Sequence, residues 1–235
     1  MTFRVFRLLL ALLAAAAVGH ASPAVAPVLA DLDPENDAVV APPAPIDDCE
    51  AKLRAAGVDF TLAHLPVRPA SATRPTCGVE QAVVYRAGPA KIRYNSRPLL
   101  SCGMALGLAR FEQALAEEGP RQLGQRITHI EQGGTYNCRK MARFALVSEH
   151  SYANAIDIES VTLENGKKLA VLSTFGKLDA PPTRPEARFW RVVTRRMYDE
   201  GAFSVVITPF FDALHRDHIH LDEARYRVDG SRPAP

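Results

Sequence analysis

An α+β fold, a small and largely antiparallel sheet with helices packed on it, is predicted by three features of the 235-residue sequence. Two long stretches, Leu99–Glu118 and Pro185–Asp199, carry apolar residues at helical spacing. Glu164-Asn165-Gly166-Lys167 separates two β-rich segments, and Asn-Gly is a strong hairpin signal. Several further short runs read as strands, and no internal repeat is present.

Taken in order, Asp48 is placed to cap a short helix, Cys49–Ala56, that Gly57 stops. Val79–Tyr85 and Lys91–Tyr94 are short and β-rich. Leu99–Glu118 presents Met104, Leu106, Leu108, Phe111 and Leu115 along one stripe and ends at Gly119-Pro120. Ile127–Ile130 reads as a strand, and Ala155–Leu163 and Lys168–Thr174 as the arms of the hairpin. Pro185–Asp199 turns Phe189, Val192, Val193 and Met197 inward, with Trp190 as a packing residue. Phe203–Ile207 and Ile219–Leu221 read as core strands.

Apolar residues make up 47% and charged residues 23%, which excludes a disordered chain, a collagen and a polytopic membrane protein. Arg4 and Arg7, the apolar run Leu8–Val18 and small residues at Gly19 and Ala21 form an export-signal pattern over residues 1–21. That run is too short to span a bilayer, which takes about 20 residues. No membrane span is expected in the mature chain, and the expected location is periplasmic or secreted. Residues 22–46 read as a Pro/Ala/Asp-rich linker, 47–229 as the folded domain and 230–235 as a disordered tail. The net charge of +2 falls to zero without Arg4 and Arg7, and aromatics are 7%, so a nucleic-acid partner has no support.

Four cysteines, Cys49, Cys77, Cys102 and Cys138, suit two disulfides in an exported chain. Three pairings are possible. No two cysteines lie within four residues of each other, which excludes a zinc ribbon.

The histidines carry the chemistry. His215, His218 and His220 fall within six residues; on a strand His218 and His220 share one face while Ile219 and Leu221 face the other. A second cluster runs from Ser148 to Asp157. Ile156 and Ile158 would face the core, leaving Asp157 on the opposite side, with six residues between it and His150. A carboxylate there needs a partner, and a cation in the cleft would supply one. Two imidazole nitrogens and one carboxylate oxygen suit a catalytic zinc ion with an open position. His64 and His129 lie outside both clusters. Tyr136 and Tyr152 read as structural, and Glu149 shares no spacing with the ligands.

The segment SEHSYANAID resembles the Ser-x-His-x-x-Gly-x-Ala-x-Asp motif of the D-alanyl-D-alanine metallopeptidases. HRDHIHLD resembles the segment that closes the same fold, which is shared with the hedgehog domain. More closely, Cys49–Asp222 resembles the bacterial extensin-like C-terminal domain family through CEAKLRAAGVDF, CGVEQAVVY, SCGMALGLARFE, GTYNCR and FFDALHRDHIHLD. The resemblance implies a hedgehog/DD-peptidase-like fold and zinc held by His150, Asp157 and His220. His218 is then the assisting residue, with Asp217 competing for the same role, and His215 is a supporting histidine. Ser148 is expected to hydrogen-bond near the ligand loop, and Arg139 to grip a substrate carboxylate. Asp222 is placed to orient an imidazole.

Two departures are Ala153, where the motif has glycine, and Asp217, where the dipeptidases have glutamate. Related chains carry a further cysteine pair where Glu200 and Asp229 stand here, which implies the pairing Cys49–Cys77 and Cys102–Cys138. The implied activity is zinc-dependent hydrolysis of peptide bonds in peptidoglycan stems or cross-links, by a carboxypeptidase or endopeptidase. The alternative is a non-catalytic zinc-containing envelope domain, binding or structural. With a histidine as base, activity is expected to fall below about pH 6.

Overall fold

The computed structural model describes residues 41–142, 146–178 and 180–230. The expected export signal, most of the linker and nearly all of the tail lie outside them. No helix among the described residues is long and apolar enough to cross a membrane.

Helix α1 (Cys49–Ala55) precedes β1 (Asp59–Ala63), β2 (Ala82–Ala87), β3 (Arg93–Tyr94) and β4 (Leu99–Ser101). The long helix α2 (Cys102–Glu118) follows, then β5 (Ile127–Gly134), β6 (Ala155–Leu163) and β7 (Lys168–Ala170). The chain continues through α3 (Val171–Thr174), α4 (Pro185–Asp199), β8 (Val205–Ile207), β9 (Ile219–Asp222) and β10 (Val228–Gly230). The α+β class holds. The strands divide between two sheets: an antiparallel β1-β2-β4, and a seven-stranded sheet ordered β10-β8-β9-β6-β5-β3 with β7 beside β6. In the larger sheet only the outer pairs β10–β8 and β3–β5 are parallel.

Local chemistry explains most boundaries. Leu99–Ser101 pairs with β2 as a strand rather than opening the helix, because Ser101 adopts an extended conformation and its Oγ accepts from Met104 N at 3.2 Å as the N-cap. Asp48, by contrast, sits left-handed before α1 and its side chain makes no capping bond. Gly57, at φ +75°, makes the turn after α1 that a side chain would strain. The second hairpin arm stops at Ala170. Thr174 Oγ1 bonds back to Ala170 O at 2.6 Å and accepts Trp190 Nε1–H at 2.8 Å, which winds the segment into α3.

The main core lies between the seven-stranded sheet and helices α2 and α4. Leu108, Phe111 and Leu115 of α2 and Phe189, Trp190, Val193 and Met197 of α4 meet Ile156, Ile158, Val161, Ile219 and Leu221 of the sheet. Val192, expected inward, is 38% exposed on the flank of α4.

The disulfides are Cys49–Cys102 and Cys77–Cys138, with Cα separations of 6.1 and 5.6 Å. This corrects the pairing implied by the resemblance. Cys49 opens α1 and Cys102 opens α2, and the two helices pack together. Cys77 belongs to a segment whose neighbour Gly78 donates to Ser151 O at 2.8 Å, beside the loop that carries Cys138.

Candidate metal centre

Strands β6 and β9 pair antiparallel with Asp157 opposite His220, Ile156 opposite Leu221 and Ile158 opposite Ile219. The period-2 alternation buries all three isoleucines and Leu221 completely on the core face and sets Asp157 and His220 side by side on the other. His150 comes from a 3₁₀ turn, Glu149–Tyr152, that leads into β6. Ala153 ends that turn with φ 52° and no solvent exposure. This is the left-handed region that favours glycine, the residue found there in the similar motif. An alanine holds it at a cost of about 1–2 kcal/mol.

The three residues converge. His150 Nε2 lies 3.2 Å from Asp157 Oδ2, His220 Nδ1 lies 2.9 Å from Asp157 Oδ1, and the two ring nitrogens are 3.3 Å apart. Donors on a tetrahedral ion with bonds of roughly 2.0–2.1 Å are about 3.3 Å apart, so the set fits a divalent cation with little rearrangement. His150, Asp157 and His220 can therefore hold a metal ion.

The electrostatics follow from the same contacts. Burial alone would raise the Asp157 carboxyl, but hydrogen bonds to His150 and His220 outweigh it and hold it well below the usual carboxylate range. Burial would lower His220; Asp157 and Asp222 outweigh that and push it up to about 10. Without a metal, His220 holds a proton between two carboxylates, and a cation must displace it.

Asp222 accepts from His220 Nε2 at 2.8 Å, and its other oxygen accepts from Ala224 N at 2.9 Å. Asp222 thereby assigns the proton to Nε2 and turns Nδ1 toward the ligand cluster. Replacing Asp222 by alanine is expected to weaken divalent-metal affinity about 10–100-fold in a metal titration. An unchanged affinity would remove Asp222 from the site.

The other sequence-predicted residues line the same cavity of about 450 Å³, Asp217 excepted. His218 Nε2 is 3.7 Å from Asp157 Oδ1, and its Nδ1 is 2.9 Å from Asp217 Oδ1. Asp217, 60% exposed at its side chain, contacts His218 and stands outside the cavity lining. The His215 ring lies 5.2 Å from that of His218 and 6.0 Å from that of His220, with Nδ1 at 2.7 Å from Asp212 Oδ1. Burial lowers its pKa against the pull of Asp212. Arg139 is exposed at the rim, its Nη1 donating to Lys140 O at 3.3 Å. Ser148 is buried, and its N–H donates to Arg139 O at 3.1 Å. His64 and His129 stand outside the cavity.

Three polar residues behind the site escape the sequence reading. Ser151 Oγ donates to Arg139 O at 2.8 Å and accepts from Arg139 N at 2.9 Å, tying the rim to the His150 turn. Asn154 joins Ser101 Oγ to Glu149 Oε2, each at 2.7 Å. Glu149 is buried beside Asp222; burial and that neighbour raise it to about 8. Ser151 and Asn154 lie within the Ser148–Asp157 motif at positions its pattern leaves open.

Glu223 behaves like Glu149: burial, then Asp222, raise it to about 7. Its folded pKa exceeds its unfolded value, so its contribution to stability is full below about pH 4.3 and fades as pH rises through 7. In urea unfolding of the metal-free protein, Glu223→Gln is expected to lose less stability than the wild type between pH 4.5 and 7. An identical slope would refute the assignment.

The fold and the site define an α+β protein stapled by two disulfides and carrying a candidate two-histidine, one-carboxylate metal centre. Residues 47–232 match the family described as the extensin-like protein C-terminus, and the chain belongs to that family. Neither a curated protein nor a solved structure matches it.

Proposed function

We propose that the protein is an exported zinc-dependent peptidase that hydrolyses peptide bonds of peptidoglycan stems or cross-links. The convergence of His150, Asp157 and His220 within 3.3 Å of one another, with the His218–Asp217 pair alongside, carries this reading. A zinc ion held there supplies Lewis acidity and lowers the pKa of water toward about 7. His218, with Nδ1 against Asp217, keeps Nε2 turned toward Asp157 and so can hold a proton at that atom. The His215 ring lies tilted against that of His218, 5.2 Å between centroids. Arg139 and Lys140, exposed at the rim, are placed to bind a substrate carboxylate. Ser148 and Ser151 fix the backbone that presents Arg139.

The substrate class is supported by the likeness of SEHSYANAID and HRDHIHLD to the D-alanyl-D-alanine metallopeptidase segments and by the export pattern of residues 1–21. The two disulfides suit an oxidising compartment.

The test is incubation of the zinc-loaded protein with purified peptidoglycan, with released products identified by mass. The wild type is expected to release peptides or shorten stems. His218→Ala is expected to lower the rate by at least about 100-fold while retaining the metal. An unchanged mass profile with metal bound would overturn the peptidase reading in favour of a non-catalytic zinc-containing domain.

A further inference from the structure

The metal-ligand cluster and a set of apolar side chains lie in register on one face of the larger sheet. Ile207 of β8 stands opposite His220, Val205 opposite Asp222, and Val228 of β10 opposite Val205. The intervening Val206 and Leu221 face the core and are fully buried. One sheet face thus changes from ionic on β6 and β9 to aliphatic on β8 and β10.

Met141 and Tyr226 pack against this aliphatic half, forming a small cluster separate from the main core. Phe211 and Leu214 extend it toward the mouth, where Leu214 is 47% exposed. All of these residues line the cavity that holds His150, Asp157 and His220, and the charged lining comes from β6, β9 and the flanking loops. An ion held by those ligands would fill a small fraction of the cavity's roughly 450 Å³. An apolar half left open beside them is the usual build of a small-ligand site, in which a few polar groups orient and apolar walls select.

We infer that the aliphatic half, with Ile207 and Leu214 as its selecting walls, is a specificity pocket for the side chain of the substrate residue adjoining the hydrolysed bond. Preferred substrates are peptides with an aliphatic residue there, of alanine to leucine size, and an acidic or basic residue is rejected. Ile207, directly opposite His220, places that side chain next to the ligand cluster. The inference rests on the peptidase reading above and adds the chemistry of the substrate.

The pocket can be probed without turnover. A carboxylate directs its charged end to the metal-loaded site and its alkyl chain along the wall. Calorimetric titration of the zinc-loaded protein is expected to give hexanoate at least about 10-fold tighter binding than acetate, with 6-aminohexanoate no tighter than acetate. Leu214→Asp, at a partly exposed position, and Val228→Ser are each expected to erase the hexanoate gain while zinc affinity is retained. In hydrolysis, peptides differing only at the adjoining residue are expected to favour alanine or leucine over aspartate or lysine by at least about 10-fold in kcat/KM. Equal binding of acetate and hexanoate with zinc bound overturns the pocket and leaves the peptidase reading intact. A hexanoate gain without turnover of any peptide overturns the peptidase reading and, with it, the pocket's role toward a hydrolysed bond, leaving only an apolar wall that binds alkyl carboxylates. Failure to take up zinc removes both.

Discussion

Asp157→Asn is expected to abolish stoichiometric uptake of a divalent ion. Asp157 is the one residue of the cluster that contacts both imidazoles, and it supplies the negative charge that makes a cation favourable in a largely buried site. Asparagine keeps the shape and one oxygen but loses the charge, so the fold survives while the electrostatic reason for binding disappears. The affinity loss should exceed the 10–100-fold typical of removing an orienting partner such as Asp222. Thermal unfolding reads the effect directly. Metal at 100 times its dissociation constant stabilises the wild type by about 2.7 kcal/mol, and the variant should show no metal-dependent rise in Tm. His150→Ala and His220→Ala should behave likewise. Acid should do so reversibly, since a metal ion must displace the proton that His220 holds. A variant that takes up metal as tightly as the wild type would refute the assignment of ligands.

The candidate metal centre was more legible in the sequence than the framework around it. Asp157 and His220 announce themselves because strand alternation forces Ile156, Ile158, Ile219 and Leu221 to one side, and His150 by its place in the Ser148–Asp157 cluster, on the turn that leads into β6. The two long helices were legible for the same reason at the helical period, and their ends are marked by Gly119-Pro120 and Pro185. β1 was not legible, because it is a short and largely exposed edge with no alternation to read. The aliphatic half of the cavity was hidden differently. Val205 and Ile207 read as ordinary core strand residues, and only their register against β9 turns them to the ligand side. The disulfide pairing depends on which helix starts and loops are neighbours, which is tertiary information that cysteine spacing does not contain.

Removal of the Cys77–Cys138 disulfide by paired alanine substitution is expected to cost stability without a matching loss of metal affinity. The bond links positions 61 residues apart, for which loop-closure entropy in the unfolded chain corresponds to about 4 kcal/mol. For a domain of this size that is a fall in Tm of roughly 8–16 °C. The native rim nevertheless keeps its own ties to the ligand turn. Asn137 N donates to His150 O at 3.0 Å, Ser148 N to Arg139 O at 3.1 Å, and Ser151 Oγ bonds both Arg139 N and Arg139 O. The bond therefore acts chiefly by restricting the unfolded ensemble, and the metal-binding geometry belongs to the hydrogen-bonded turn. Urea unfolding and metal titration on the same variant separate the two contributions: the expected pattern is a large shift in midpoint beside an affinity within about 3-fold of the wild type. A parallel collapse of metal affinity would show instead that the disulfide holds the His150 turn in place. Ser151→Ala, which leaves the bond intact but removes the ties to Arg139, would then be the milder of the two changes rather than the more damaging one at the site.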